Sequence, residues 1–138
     1  MKTIFLVLTL LLICRSLPAP GLKELIILKP ESINPYNRIF DAICKIESNN
    51  NPLAFCIDIN GLSSVGIAQI QNSRIIDFNR HTGNNYSLND MYSPELSRVV
   101  FMHFASKINH NDIERICKKW NGTGAMTEIY WNKIKIIL

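Results

Sequence analysis

The sequence predicts an α+β domain, predominantly α-helical, with a small β-hairpin after its first helix. Three observations carry this expectation. The 138 residues leave room for one domain, since domains usually run to ~100–200 residues. Apolar residues recur at the three-and-four spacing of a buried helical stripe in several separate segments. Only residues 53–71 (LAFCIDINGLSSVGIAQIQ) combine many β-branched side chains with a turn dipeptide, Asn60-Gly61. At 47% hydrophobic and 19% charged, the chain is neither a charged disordered tail nor a low-complexity spacer.

The segment 1–19 reads as a secretory signal peptide. Residues 4–14 (IFLVLTLLLIC) hold no charge, follow Lys2 and precede the LPAP of 17–20. Eleven residues fall short of the ~20 that a membrane-spanning helix needs, and an uncleaved anchor is the competing reading. The expected location is therefore outside the cytoplasm, in the periplasm or cell envelope. Taking Lys2 and Arg15 away with the signal lowers the formal net charge from +4 to +2. The sequence pI near 9.0 then carries no argument for nucleic acid, and Lys118-Lys119 is the sole basic doublet. Residues 20–35, with three prolines, form a lead-in segment, and 36–138 form the domain.

Asn34-Pro35 offers a cap and a first-turn proline for a helix with Ile39, Phe40, Ile43 and Ile46 on one face. That helix should stop near Ser48, before Asn49-Asn50-Asn51-Pro52. After the hairpin, Ser73 is placed to cap a helix through Phe78 that ends by Gly83. Ser87 and Asp90 have capping-box spacing. Ser93-Pro94-Glu95 opens a helix with Leu96, Val99, Val100 and Phe104 expected inward. Asn111 starts another, with Ile113, Ile116 and Cys117 on one face. Thr127 opens the last, with Tyr130, Ile134 and Ile137 apolar.

Glu47 is the most informative carboxylate. It falls at the end of an apolar helix, just before a polar loop. Held against apolar walls, a carboxyl keeps its proton to higher pH, as a general acid requires. Taken alone, a glutamate near a helix end is more often a solvated surface residue.

Its surroundings narrow the choice. Glu47-Ser48-Asn49-Asn50-Asn51-Pro52-Leu53-Ala54 resembles the E-S-x-x-N-P-x-A motif of lytic transglycosylases of the soluble (SLT) type, relatives of goose-type lysozyme. Ser64-Val65-Gly66-Ile67-Ala68-Gln69-Ile70 is similar to the family's S-x-G-L-M-Q-I. Trp120-Asn121-Gly122-Thr123-Gly124 resembles A-Y-N-x-G, and Tyr130-Trp131-Asn132-Lys133-Ile134 the Y-x-x-K-V that follows. The four blocks occur in the family's order over about residues 36–138. Ala68 stands where the family usually has Met and Trp120 where it usually has Tyr, which touches sugar affinity more than the reaction.

The resemblance implies a lysozyme-like fold with the hairpin after the catalytic helix. It further implies cleavage of the β-1,4 bond between N-acetylmuramic acid and N-acetylglucosamine in peptidoglycan. Glu47 would be the single catalytic acid. Ser48, Gly66, Gln69, Trp120, Asn121 and Tyr130 would bind substrate: the Ser48 hydroxyl orienting the carboxyl, Gly66 admitting the polymer, and the amides meeting N-acetyl groups. No metal or organic cofactor is implied, and the partner is a peptidoglycan glycan strand rather than nucleic acid. The protein is expected to act as a monomer, with a secretion or conjugation apparatus as a compatible partner. A lysozyme-type hydrolase and a non-catalytic wall-binding module are the alternatives.

Two further expectations concern pairing and product. Cys44–Cys117, Cys44–Cys56 and three free thiols all remain open. Among later acids, Asp58 lies nearest the expected groove, Asp77 suits a solvated helix face and Asp90 a capping box. With no base placed for water, the product would be a 1,6-anhydromuramyl end.

Overall fold

The computed structural model describes residues 34–138. The signal-peptide reading and nearly all of the lead-in lie outside the described residues. Among the described residues, no helix is long and apolar enough to cross a membrane. The chain runs α1 (Asn37–Ser48), β1 (Phe55–Ile57), β2 (Ser63–Val65), β3 (Ile70–Gln71) and α2 (Asn72–Thr82). It continues through a 3₁₀ turn (Leu88–Tyr92), α3 (Pro94–Ala105), α4 (Ile113–Asn121) and α5 (Met126–Ile134). The α+β, mainly helical class expected from the sequence is the one observed.

Helix α1 begins at Asn37, later than Asn34-Pro35 suggests. The Asn34 side chain accepts from the Tyr36 N–H at 3.0 Å, closing a turn ahead of the helix instead of capping it. Ile39, Phe40, Ala42, Ile43 and Cys44 are buried, so α1 is the spine of the core. It ends at Ser48 as the sequence predicts. Asn49 and Asn50 take left-handed backbone (φ 54° and 63°), a conformation asparagine tolerates better than most residues.

The sheet has three strands, one more than the hairpin expected. β1 and β2 pair antiparallel around a loop held by Asp58, whose Oδ1 accepts from the N–H groups of Asn60 (2.8 Å) and Leu62 (2.9 Å). β3 then adds to the other edge of β2. Register divides the residues between faces. Phe55, Val65 and Ile70 align in one row, with Val65 and Ile70 buried in the core. Cys56, Ser64 and Gln71 align in the alternate row, on the opposite face.

The later helices fall near their expected places. Ser87 and Asp90 do form a capping box, at the 3₁₀ turn, and Ser93 caps α3 by accepting from the Leu96 N–H. The cap of α4 is Asp112, not Asn111. α5 starts at Met126, with the Thr127 hydroxyl donating back to the Gly124 carbonyl. One inward assignment was misplaced. On α3 the buried stripe is Ser97, Val100, Phe101 and Ala105, and Val99 is exposed because it lies two residues, about 200°, round from Phe101. Ile137 is exposed because the helix has already ended at Ile134.

The three described cysteines are free thiols, so neither bridge forms. Cys44 and Cys117 are buried, and burial pushes both thiols up to about 12. Cys56 is exposed on the sheet face turned away from the core. A maleimide at pH 7 should therefore label Cys56 in the native protein, and Cys44 and Cys117 only after unfolding, as peptide mapping would read. Protection of Cys56 or native labelling of Cys44 would contradict this placement.

Candidate active site

Glu47 projects from the last turn of α1 into a cleft of about 450 Å³ between the sheet and the helical body. The sheet contributes its Cys56–Ser64–Gln71 row and Gln69, α2 contributes Ser73, Arg74 and Asp77, and α3 and α4 contribute Phe104, Trp120 and Asn121. Burial holds the Glu47 carboxyl above its ordinary value of 4.5. A hydrogen bond from Tyr130 and the charge of Arg74 act in the opposite direction and offset part of that rise. Behind it, the buried Tyr130 hydroxyl donates to Glu47 Oε1 at 2.7 Å, across 83 residues of sequence. Burial and the adjoining carboxylate raise the phenol far above its usual range, so it remains a donor. Oε2 has no partner among the described residues, and every fully buried side-chain oxygen does have one. Oε2 is therefore not completely enclosed, and it lies on the cleft side of the carboxyl. A proton on it has a fixed direction, because Tyr130 locks the other oxygen.

The sequence-predicted residues divide into two groups. Glu47, Gln69, Trp120 and Asn121 line one cleft, and Tyr130 supports Glu47 from behind. Ser48 does not orient the carboxyl. Its hydroxyl donates to the Ile67 carbonyl at 2.8 Å and accepts from the Asn51 N–H at 3.0 Å, tying the helix end to the β2–β3 turn. Gly66 does not line the cleft either. Its φ is +76°, and a Cβ there would lie 2.0 Å from the Met91 carbonyl oxygen, so the glycine permits a close backbone crossing. Gln69 is mostly engaged internally: Nε2 donates to the carbonyls of Gly66 (2.9 Å) and Ala54 (3.3 Å), while Oε1 accepts from Ser64. One acceptor lone pair on Oε1 remains for a ligand.

Arg74 was missed by sequence reasoning. Its guanidinium donates to the Trp120 carbonyl at 2.8 Å and lies 4.3 Å from the Trp120 ring centroid, fixing the indole as one wall of the cleft. Its charge also favours ionised Glu47. One signal was available: a cation in the first turn of α2, with no acid there, opposes the helix dipole and needs another reason to exist. Asp77 is the second omission. It lines the cleft while keeping the solvated helix face expected of it, its side chain half-exposed and paired with Arg80 at 3.1 Å. Asp58, expected nearest the groove, is instead occupied with the hairpin loop and Gln71.

Among the described residues no cluster of three or more His, Cys, Asp or Glu is arranged to hold a metal ion. The cleft can thus offer a directed carboxyl proton, an aromatic wall, and amide and hydroxyl groups, the equipment for acid catalysis on a polar polymer. No family model, curated protein or solved structure matches the chain.

Proposed function

We propose that the chain is a peptidoglycan lytic transglycosylase with a lysozyme-like fold, in which Glu47 acts first as acid and then as base. The observation that carries the reading is the 2.7 Å hydrogen bond from Tyr130 to Glu47, which unites the first and last resemblance blocks at one carboxyl. The proton on Oε2 passes to the glycosidic oxygen of the departing N-acetylglucosamine. The N-acetyl group of the muramic residue assists at the anomeric carbon, a route open to glycosidases without a carboxylate nucleophile. The Glu47 carboxylate then takes the proton of the muramic C6 hydroxyl, and that oxygen closes on the anomeric carbon. Because the hydroxyl belongs to the bound sugar, its attack has the advantage of an intramolecular reaction. Export to the periplasm or cell envelope, action as a monomer, and service to a secretion or conjugation apparatus belong to the same reading. The first rests on the N-terminal sequence pattern alone. Zymography on peptidoglycan separates it from a non-catalytic wall-binding module.

One observation favours a second reading, a lysozyme-type muramidase. Asp77 faces the same cleft as Glu47, and a second carboxylate could serve as nucleophile or activate water. The ion pair with Arg80 argues for a structural role instead. Asp77→Asn should retain most lytic activity and still release 1,6-anhydromuramyl ends, as should Asp58→Asn. Mass spectrometry of the muropeptides decides: a main product heavier by one water, lost in Asp77→Asn, would establish the hydrolase.

A further inference from the structure

On the other side of Trp120 lies a second cavity of about 270 Å³ with an apolar floor that includes Phe101, Ala105 and Ile116. Among the described residues four cations line it, Arg74, Lys107, Arg115 and Lys119, and no acid does. Among the described residues none of the four is in a salt bridge, whereas neighbouring Lys118 pairs with both Glu114 and Glu128. Arg115 and Lys119 stand four apart on α4, a like-charge pairing that costs helix stability and that the place of Lys119 in the last turn, favourable to the helix dipole, only partly offsets. Arg74 and Lys107 lie 5.4 and 5.3 Å from the Phe104 ring centroid. Arg74, Phe104 and Trp120 border both this cavity and the Glu47 cleft, so a ligand can occupy the two together.

From this juxtaposition we propose that the cavity binds the carboxylate-bearing peptide that branches from the muramic residue of the glycan strand. The inference rests on the function proposed above. Its chemistry is that of a short chain with small aliphatic groups and free carboxylates: the apolar floor takes the former and the guanidinium and ammonium groups the latter. Phosphate shares the charge but not the aliphatic part. The peptide thereby adds binding energy at a point remote from the bond that breaks.

The test uses the exported protein and the Arg115→Gln/Lys119→Gln variant, neither residue touching the Glu47 cleft. Arg38→Gln/Lys135→Gln is the control, with the same loss of charge elsewhere. Thermal melts establish that all three are folded. In calorimetric titration the synthetic dipeptide N-acetyl-L-Ala-D-Glu, which has two carboxylates and no ammonium group, should bind wild type and control alike, and the cavity variant about tenfold more weakly or not at all. On peptide-bearing strands the cavity variant should show KM raised about tenfold with kcat unchanged, and on amidase-stripped strands no change. Equal peptide binding by all three proteins, or an equal KM rise on stripped strands, overturns the proposal. So does inorganic phosphate binding as tightly as the dipeptide. Cavity-dependent peptide binding by a protein that lyses no wall would support the site while refuting the proposed reaction, so the two failures are distinguishable.

Discussion

Glu47→Gln removes wall lysis, by a factor of about 10²–10⁴ or more, and at neutral pH makes the protein more stable than wild type. The loss follows from the acid's part in the proposed reaction, since an amide has no proton to give the glycosidic oxygen. The gain follows from linkage. The folded state raises the Glu47 pKa above its ordinary 4.5, so the unfolded chain loses this proton first as pH rises. Between the unfolded and folded values the unfolded state holds fewer protons, and stability falls with rising pH. The favourable contribution is whole below about pH 4 and gone above the folded pKa. Glutamine escapes this penalty and still accepts from Tyr130. Melting temperatures should therefore coincide near pH 4 and favour the variant at pH 7. The same logic gives wild-type kcat/KM a decline as pH rises through the raised pKa. Tyr130→Phe, by removing a bond that favours the ionised form, should move that decline to higher pH. Full lysis by Glu47→Gln would refute the acid assignment, and equal melting at pH 7 would refute the raised carboxyl pKa.

Gly66→Ala should destabilise the fold by about 3 kcal/mol or more, while Gly61→Ala costs only about 1–2 kcal/mol. Both glycines have the same backbone, φ +76° and +77°, so the handedness penalty is shared. Only Gly66 adds a collision, with the Met91 carbonyl oxygen at 2.0 Å and its carbon at 2.9 Å. Those atoms cannot easily retreat, because Met91 is fully buried and its carbonyl accepts from the buried Ser97 hydroxyl at 2.9 Å. Against a typical total of about 5–15 kcal/mol, the Gly66 change is a large fraction. Urea midpoints measure both variants. Equal shifts would mean that the β2–β3 turn and the 3₁₀ segment are not locked together.

The sequence by itself determined the helices, because burial of one stripe imposes a period that survives without knowledge of the partner. Ile39, Phe40 and Ile43 on α1, and Ile116 and Cys117 on α4, were legible in this way, as was the Ser87–Asp90 capping box, whose bonds are local. The candidate site residues Glu47, Trp120, Asn121 and Tyr130 were legible from short blocks. What joins them is not local. Tyr130 meets Glu47 only after α5 packs against α1, a contact whose entropy cost no four-residue pattern encodes. β3 is two residues long and exists only because β2 offers an edge to it. Val99 shows the limit of periodicity: it reports that a helix has a face, but which side of that face meets core or solvent is set by its neighbours. Ser48 and Gly66 show the same from the other direction. Their residue types suit a binding site equally well, and only the Ile67 and Met91 carbonyls, brought close by tertiary packing, make them parts of the frame that holds Glu47 in place.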